Sequence, residues 1–335
     1  MNGYSKDGAN MEYKGSRGDV DKILSNLVKA RGTNILHKVT YPRDRSVDHI
    51  IEHKNCKTLL KFADNISSRG RLYQELKKLS KELNVNSLIV ANKLNDEMLM
   101  HEVLYIRGRL GLVSTYTIKH YAAGDKVFVY EYNGMLYVKI DGKKLKALRE
   151  QKGFRIHELA NAVGVSAKAL KDYEDDKMDM TVERAYRFLE IFGNEFEDVI
   201  EEVDIFRDRI IQKETEDHSY NIKVSTDKRA KIVDRLRSYG LKANIYNSIP
   251  SDIITSDENI RFFISYIERS LSEDDIKSKC ENNYFFAKTF KGMPVVVVDD
   301  DIDRNRISSI EEYGYVSKVS NIGQLAREIV EETKR

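Results

Sequence analysis

The chain has 335 residues, of which 33% are charged and 41% hydrophobic, and its formal net charge is +2. This length predicts two or three domains, and the composition is that of a globular protein with enough apolar residues to fill its cores. The near-zero net charge gives no indication of a polyanionic partner, and apolar runs such as residues 295–298 are far too short to span a membrane.

The charge is distributed unevenly along the chain. Residues 1–140 carry 23 Lys and Arg against 15 Asp and Glu, a net charge of +8. Residues 141–204 carry 11 against 16, a net −5, and residues 205–335 carry 22 against 23, a net −1. The N-terminal excess is compatible with an electrostatic contribution to binding a polyanion, because Lys and Arg neutralise phosphates.

Motifs for cofactor or metal chemistry are scarce. Cys56 and Cys280 lie far apart and fit neither a disulfide framework nor a zinc site, so we expect a reducing, cytoplasmic location. The sequence lacks a phosphate-binding glycine loop, a Ser-His-Asp candidate and a redox motif, and we expect no cofactor. Residues 1–16 are polar and glycine-rich, which predicts a flexible tail rather than a signal peptide.

Residues 18–117 predict a helix followed by an alternation of strands and helices. Apolar residues recur with a period near 3.6 in the helices, and alternate or form continuous runs in the strands. The order is helix, three strands, helix, strand, helix and strand, over residues 18–31, 33–42, 47–53, 58–64, 71–84, 87–92, part of 96–108, and 111–117.

A similar order recurs near the C-terminus. Its segments are helix, three strands, helix, strand, helix, strand and helix, over residues 225–240, 243–250, 251–257, 260–268, 272–281, 293–300, 303–313, 315–320 and 322–332. Local sequence repeats as well, since SVDHII at 46–51 corresponds to PSDIIT at 250–255. We interpret the pattern as an internal duplication with a segment inserted between the halves.

The inserted segment begins with a predicted β-hairpin over residues 124–141. VFVYEY and MLYVKI alternate on either side of Asn133 and Gly134, a pair typical of a type I′ turn. Apolar residues at helical spacing then continue from residue 142 to about residue 202.

One stretch of that helical region, IHELANAVGVSAKALKDYEDD at 156–176, has the spacing of two helices joined by a tight turn. Ala160 is small enough for a close helix approach, Gly164 tolerates a left-handed backbone, and apolar Leu170 faces the small core. Ser166 is placed to cap the second helix. The pattern Ala-x3-Gly-x5-Leu therefore predicts a helix-turn-helix.

Residues 142–193 resemble the Cro-type (XRE) helix-turn-helix domain of phage repressors, in this motif and in the amphipathic helices that flank it. The resemblance implies an ion pair between an Arg in the first helix and a Glu that ends the third, places filled by Arg149 and Glu174, and an aromatic core residue, Tyr173. It also implies that the third helix binds double-stranded DNA. The alternative is a scaffold or protein-interaction module that does not bind DNA.

Candidate DNA contacts lie at the start of the third helix and around it. Where relatives of this type carry side chains that hydrogen-bond to base edges, the third helix has Ala167, Lys168 and Ala169, so direct base readout is thin. The candidates for contacts to bases or phosphates are Ser166, Ala167, Lys168, Lys171, Lys152, Arg155 and Lys177.

Residues 46–62 resemble part of the restriction-endonuclease-like PD-(D/E)xK fold, which also occurs in archaeal Holliday-junction resolvases. That chemistry needs an Asp at the end of one strand and Glu-x-Lys on the next, to hold Mg²⁺ and to orient water. Asp48 and Lys61 match this pattern, but Leu59 stands where the Glu is needed.

The second repeat departs further from the nuclease pattern. Asp252 matches, whereas the other two places are assigned to Phe262 and Ile264. We therefore expect no catalytic residue and no metal site, and a Mg²⁺-dependent structure-specific nuclease is the alternative. His49 and His53, four residues apart on a predicted strand, are interpreted as surface histidines.

The expected fold is α/β, with two mixed-sheet restriction-endonuclease-like repeats flanking an all-α Cro-type helix-turn-helix domain. The expected segments are a flexible tail, a degenerate nuclease-like domain, a β-hairpin, the helix-turn-helix domain and a second degenerate nuclease-like domain, over residues 1–16, 17–123, 124–141, 142–204 and 205–335. This order resembles a group of archaeal predicted transcriptional regulators, which implies a DNA-binding regulator without catalysis.

A homodimer is expected, because one Cro-type unit reads only a few base pairs and two are normally paired on neighbouring half-sites. An apolar stripe formed by Phe196, Val199, Ile200 and Val203 offers one surface for pairing, and the repeats offer sheet edges. The alternative is that this stripe packs against the C-terminal repeat of its own chain.

Overall fold

The computed structural model describes most of the chain, over residues 17–209, 228–256, 260–302 and 308–333. The expected tail at 1–16 lies outside the described residues. So do residues 303–307, where an expected helix begins, and a short 3₁₀ turn at Glu311–Tyr313 occupies part of its remainder. No helix in the described ranges is long and apolar enough to cross a membrane.

The first repeat is a mixed sheet covered by helices on both faces. Its elements are α1 (Arg17–Arg31), β1 (Asn34–Lys38), β2 (His49–His53), β3 (Cys56–Phe62), β4 (Asn65–Ile66), α2 (Arg71–Leu83), β5 (Asn86–Val90), β6 (Lys93–Leu94), β7 (Glu97–Met98), β8 (Val103–Arg107), β9 (Leu110–Val113) and α3 (Thr115–Ala123). Because strand side chains alternate between faces, Ile50 and Leu59 pack with α2, whereas Ile51 and Leu60 pack with α1 and α3.

The inserted segment and the second repeat follow. The insert contains β10 (Val129–Tyr132), β11 (Met135–Ile140), α4 (Gly142–Gln151), α5 (Ile156–Ala162), α6 (Ala167–Glu174), β12 (Met180–Thr181), α7 (Val182–Phe192), a 3₁₀ helix (Gly193–Val199) and β13 (Ile200–Glu201). The second repeat contains α8 (Lys228–Ser238), β14 (Lys242–Ile245), β15 (Ile253–Ser256), β16 (Arg261–Ile267), α9 (Glu273–Thr289), β17 (Met293–Val298), β18 (Tyr315–Lys318) and α10 (Ile322–Thr333).

The two repeats share one sheet topology, which confirms the duplication. The strand orders are β1-β2-β3-β5-β9 and β14-β15-β16-β17-β18, and each has two antiparallel pairs followed by two parallel pairs. The register agrees as well. Ile50 pairs with Leu59 in the first repeat, and Ile254 pairs with Phe263 in the second, each residue 204 positions later.

Two predictions in the first repeat are wrong. Residues 96–108, expected to contain a helix, form β7 and β8 with the turns around them, and Asn95 and Asp96 adopt positive φ values of 51° and 68° in the turn before β7. The strand expected over 111–117 ends at Val113, because the Ser114 side chain caps α3 by accepting a hydrogen bond from Thr117 N. A short apolar run does not distinguish a strand from a helix by periodicity alone.

The hairpin predicted at 124–141 forms with the expected turn but is not a separate unit. Asn133 and Gly134 have φ values of 51° and 82°, as a type I′ turn requires. However, β10 pairs in parallel with β8, and β11 pairs with β12 and β13. The sheet of the first repeat therefore continues through the hairpin into the helix-turn-helix domain, and ten strands form one sheet.

The apolar stripe after α7 is buried within its own chain, and neither expectation for it is correct. Phe196 and Val199 lie in the core of the helix-turn-helix domain, whereas Val203 lies in the core of the first repeat together with Ile205 and Phe206. The stripe is thus neither a free dimer surface nor a contact with the C-terminal repeat. It joins the helix-turn-helix domain to the first repeat.

Residues 204–209 continue this connection. The guanidinium of the half-buried Arg209 donates hydrogen bonds to four carbonyl oxygens, those of Ser87 at 2.9 Å, Arg109 at 3.1 Å, Ile205 at 3.1 Å and Asp208 at 2.6 Å. Gly111 makes room for it, because a Cβ there would lie 2.6 Å from the guanidinium. The segment that leaves the helix-turn-helix domain is therefore fixed to the first repeat.

The two repeats pack against each other through a shared apolar core. Leu76 of α2 and Ile50 of β2 belong to the same cluster as Tyr246, Phe263 and Phe286 of the second repeat. Because burial of apolar surface is the main favourable term in association, this shared core makes the two repeats one body.

Reciprocal polar contacts accompany the shared core. On α2, Glu75 accepts hydrogen bonds from Ser248 N at 2.8 Å and Asn247 N at 3.0 Å. On α9, Asn282 accepts one from Thr40 N at 2.8 Å. Each repeat thus presents the helix after its third strand to the loop after the first strand of the other repeat. The two repeats therefore pair with each other within one chain.

Replacing Glu75 by Ala tests the contact between the repeats. Two backbone N–H groups lose their acceptor, at about 1–3 kcal/mol for a buried group, so we expect the free energy of unfolding to fall by roughly 2–4 kcal/mol. Urea unfolding of the full chain measures this difference. Glu190→Ala, on the exposed face of α7, is the matched control, and an equal loss of stability in both variants would contradict a specific contact.

Candidate nucleic-acid interface

The helix-turn-helix formed by α5 and α6 has the local geometry that its sequence predicts. Ala160 is buried where the two helices meet, and Val165 N donates to its carbonyl oxygen at 2.9 Å. Gly164 turns the chain with a φ of +70°, in the left-handed region that favours glycine. Ser166 caps α6 by accepting a hydrogen bond from Ala169 N at 3.0 Å, and Leu170 is fully buried.

A buried ion pair holds α4 against the end of α6. Arg149 Nε lies 2.5 Å from Glu174 Oε1, and Arg149 Nη2 lies 3.1 Å from Oε2, so the contact is bidentate. Arg149 Nη1 also donates to the carbonyl oxygen of Phe154 at 2.9 Å. The hydrogen bond to Glu174 raises the pKa of the Arg149 guanidinium. The pair therefore fixes the position of the recognition helix.

The acidic residues that follow α6 are structural. Asp176 adopts a φ of 55°, and its Oδ1 accepts a hydrogen bond from Gly142 N at 2.6 Å, at the start of α4. Asp175 accepts one from Lys177 Nζ at 2.8 Å, and this hydrogen bond lowers the pKa of the Asp175 carboxyl. These carboxylates close the turn after α6.

Two lysines of α6 are exposed and available. Lys168 and Lys171 have no hydrogen-bond or ion-pair partner within the described parts of the chain. Ala167 beside them is half-buried, and the Ser166 hydroxyl is already used as the cap. The exposed face of α6 thus offers two cationic side chains, Lys168 in the first turn and Lys171 in the last, beside the small apolar Ala167.

The flanking basic candidates are exposed but mostly engaged. Lys152 Nζ lies 2.6 Å from Glu195 Oε1, and Lys177 Nζ lies 2.8 Å from Asp175 Oδ2. Arg155 is exposed, and its backbone N–H donates to Glu158 Oε2 at 2.8 Å. Exposed ion pairs contribute only about 0–1 kcal/mol, so a competing anion can replace either carboxylate.

The nuclease-like position of the first repeat is neutralised by cations. Asp48 Oδ1 lies 3.0 Å from Arg45 Nε, and Asp48 Oδ2 lies 3.3 Å from Lys61 Nζ. Phe62 N donates to the same Oδ2 at 2.8 Å. Leu59 is fully buried in the shared core and supplies no ligand. A divalent cation at Asp48 would have to displace two positive side chains.

The second repeat repeats this arrangement with different residues. Asp252 Oδ2 lies 2.6 Å from Lys279 Nζ and accepts a hydrogen bond from Tyr266 N at 2.7 Å. Its Oδ1 lies 3.5 Å from Arg229 Nη1. The positive partners come from α8 and α9 rather than from the neighbouring strand, so strand motifs alone could not identify them.

The expected places of the missing ligands in the second repeat are wrong by one residue. With the offset of 204 that relates Asp48 to Asp252, Leu59 corresponds to Phe263 and Lys61 to Ser265, not to Phe262 and Ile264. Counting the same number of residues forward from Asp48 and from Asp252 would have given Phe263 and Ser265 from the sequence alone. No group of three or more possible metal-ligating side chains occurs in the described ranges.

His49 and His53 are buried, which corrects their interpretation as surface residues. Both lie on β2, where positions four apart share a face, and helices and neighbouring strands cover that strand. Burial lowers the pKa of His49 to about 4. His53 Nε2 lies 3.4 Å from Asp204 Oδ2, and Lys54 Nζ lies 3.0 Å from the same atom. These groups anchor the segment that leaves the helix-turn-helix domain.

Replacing Glu174 by Ala tests the ion pair. Breaking one partner of a buried pair leaves an uncompensated charge, so we expect stability to fall by about 3–5 kcal/mol. Glu150→Ala is the control, because Glu150 is the exposed second carboxylate on Arg149, and its removal should change stability by less than about 1 kcal/mol. Chemical unfolding of both variants measures the difference, and similar values would mean that solvent screens the Arg149–Glu174 pair.

Comparison with known proteins gives matches for both kinds of domain. A PD-(D/E)XK superfamily domain matches residues 19–127, and a helix-turn-helix domain matches residues 142–205. Several relatives are named "Putative HTH-type transcriptional regulatory protein". One from Methanocaldococcus jannaschii is 28% identical over 269 residues, which cover 78% of this chain and 81% of the relative.

Two further relatives bear the same name. One from Sulfurisphaera tokodaii is 26% identical over 288 residues, covering 84% of this chain and 90% of the relative. One from Pyrococcus horikoshii is 31% identical over 186 residues, covering 55% and 56%. The chain therefore combines a PD-(D/E)XK superfamily domain with a helix-turn-helix domain, and it is similar over most of its length to archaeal proteins named as HTH-type transcriptional regulators.

Proposed function

We propose that this chain is a transcriptional regulator that binds double-stranded DNA through α6, in the cytoplasm. The observation that carries the proposal is the complete helix-turn-helix, in which a buried Arg149–Glu174 pair fixes α6 and leaves Lys168 and Lys171 exposed. In this motif the second helix enters the major groove with its N-terminal residues at the base edges. Lys168 and Lys171 are therefore the proposed base-contacting residues.

Phosphate contacts supply much of the affinity in this proposal. Ser166 is used as a cap and Ala167 offers only a methyl group, which leaves little direct base readout. Lys152, Arg155 and Lys177, which flank α5 and α6 in sequence, are exposed. If Lys152 and Lys177 exchange their carboxylate partners for DNA phosphates and Arg155 adds a phosphate contact, counterions are released from the DNA, so binding should weaken steeply with salt.

The nuclease-like repeats have a non-catalytic role in the proposal. The carboxylates of Asp48 and Asp252 each face two cationic side chains, an environment that opposes the binding of Mg²⁺. Their mutual packing and the continuous sheet make them a rigid support for α4–α7. They position the helix-turn-helix, with accessory DNA contact as a further role.

We also propose that the protein acts as a homodimer. The described part of one chain contains a single helix-turn-helix, and two copies would occupy half-sites about one helical turn apart. The two nuclease-like repeats of one chain already pack against each other, so the dimer uses a different surface.

Replacing Lys168 and Lys171 by Ala should weaken specific DNA binding by roughly 1–3 kcal/mol for each base-contacting side chain removed, and should blur sequence preference. Gel shifts with genomic fragments at two salt concentrations measure both effects. The matched control replaces Lys93 and Lys126, two exposed lysines outside the helix-turn-helix. If the α6 variant binds every probe as well as the parent, α6 is not the reading helix.

The same assay with Mg²⁺ and with branched, nicked and single-stranded DNA tests the nuclease alternative. Cleavage that Asp48→Ala abolishes would overturn the non-catalytic role. Cleavage that survives this substitution would indicate a contaminating nuclease.

Light scattering on the full chain should give a mass of about 78 kDa, twice the chain mass of 38.8 kDa. A dimer favours DNA binding because, once the first reading helix has bound its half-site, the second helix is held at a high local concentration beside the other half-site. A protein that remains a monomer on a DNA fragment that it binds specifically would contradict the dimer.

A further inference from the structure

The strand β18 lies at an open edge of the sheet of the second repeat. It is the last strand of that sheet and pairs with β17 on one side, and no strand in the described ranges pairs with its other side. Its register with β17 is regular over all four residues. Tyr315 is 50% exposed, and Val316 and Lys318 are half-buried. An edge strand of this kind presents unpaired backbone N–H and C=O groups to any chain that can add a strand.

The first repeat shows that the equivalent edge accepts a strand. Leu112 of β9 and Val316 of β18 are equivalent, because they lie in the pairing rows of the equivalent residues Lys61 and Ser265. The members of both pairs are 204 positions apart. Along β9 this edge is covered by β8, which pairs with it antiparallel. The sheet therefore continues past β9 in the first repeat, whereas in the second it ends at β18.

The side chains beside this edge correspond as well. Thr117 of α3 accepts a hydrogen bond from Glu102 N at 2.9 Å, at the point where the chain enters β8. Asn321, just before α10, lies five residues after Val316, as Thr117 lies five residues after Leu112. Asn321 is exposed and lines a cleft of about 290 Å³ along β18. An added strand would meet this polar side chain where β8 meets Thr117.

The other sheet edges of the described ranges are less suited to strand addition. The register of β1 is irregular between Ile35 and His37, and such a bulge disrupts pairing. The Ile245 carbonyl oxygen of β14 accepts a hydrogen bond from Lys78 Nζ at 3.2 Å, so α2 of the first repeat already contacts that edge. The strands β4, β7, β12 and β13 have only two residues each. The regular edge of β18 is therefore the best site for an added strand.

We propose that β18 pairs antiparallel with β18 of a second copy of this chain, so that the second repeats of two copies form one continuous sheet. The inference rests on the homodimer of the proposed function and names its surface. A two-fold axis normal to the sheet makes the two copies of an edge strand antiparallel. This is the orientation in which β8 covers the equivalent edge of the first repeat.

The sequence of β18 is compatible with pairing to itself. A two-fold axis at Val316 places the two Val316 residues opposite each other, with Tyr315 opposite Ser317 and Gly314 opposite Lys318. Two β-branched residues then form the central pair, a combination that stabilises sheets. Lys318 is the one charged residue of the strand, so no like charges face each other across the pair.

Charge does not attract the two copies. The charged side chains in and around β18 carry both signs with an excess of acidic ones, and they are Asp300, Glu311, Glu312, Lys318, Arg327 and Glu328. Lysine often blocks an edge strand, but Lys318 Nζ donates to the Asp300 carbonyl oxygen at 3.0 Å. The pairing therefore depends on main-chain hydrogen bonds. Because salt screens the acidic excess, self-association should hold or tighten as salt rises, whereas DNA binding weakens.

A cysteine at the two-fold axis tests the pairing on the full chain. Val316→Cys, combined with Cys56→Ser to remove the half-buried native thiol, should give a covalent dimer under a mild oxidant on a non-reducing gel. The reason is that residues directly opposite in antiparallel strands lie within the Cα distance of a disulfide. The matched control is Ser320→Cys in the same background, which is exposed but lies far from its own copy and should stay uncrosslinked.

Exchange of charges at the same position gives a second test. Val316→Lys and Val316→Glu each place like charges opposite each other, so each should weaken self-association roughly tenfold. An equal mixture of the two variants should restore association to within about threefold of the parent chain, because opposite charges then face each other. Light scattering over a dilution series measures these changes, circular dichroism checks that each variant is folded, and Ser320→Lys with Ser320→Glu is the control pair.

The results separate this surface from the homodimer itself. If the parent chain is a dimer, but Val316→Cys gives no covalent dimer and the charged variants associate like the parent, pairing through β18 is overturned and the homodimer stands. If the parent chain is a monomer at every concentration, both fail. The cross-link decides by itself if the charged variants do not fold.

Discussion

The parallel pairing of β10 with β8 is the contact on which the arrangement of the molecule depends. It extends the sheet of the first repeat into the inserted segment. There β11 pairs with β12 and β13 of the helix-turn-helix domain. Backbone hydrogen bonds across a sheet leave little freedom for rotation. The half-buried Arg209 guanidinium, hydrogen-bonded to the first repeat, fixes the other end of the inserted segment. The reading helix is thus held at a fixed orientation to the repeats, unlike a domain on a flexible linker.

The second constraint is the core shared by the two repeats. Apolar residues of both repeats lie in one buried cluster, so each repeat covers part of the sheet and helix surface of the other. The aspartates at the two nuclease-like positions have similar surroundings. Asp48 and Asp252 each accept a backbone N–H from the next strand and face two cations. Each carboxylate thus links its own strand to the next one and is compensated by neighbouring positive charge.

Much of the fold could be predicted, and the errors have a common cause. The duplicated strand order, the type I′ turn at Asn133–Gly134 and the helix-turn-helix follow from local signals such as periodicity, positive-φ residues and capping. The helix expected within 96–108 and the surface positions of His49 and His53 were wrong, because strand pairing and burial decide them. Phe262 and Ile264 were assigned wrongly because strand register, and not the local motif, decides which residues of the two repeats are equivalent.

The sequence by itself determined the kinds of domain and the residues of the turn, since Ala160, Gly164, Ser166 and Leu170 act through local sterics and capping. Only the tertiary structure decided which residues meet across the chain. Lys279 reaches Asp252 from α9, and Val203 leaves the helix-turn-helix domain to enter the core of the first repeat. Such contacts join positions far apart in sequence, and their energies depend on burial and register, which no local pattern records.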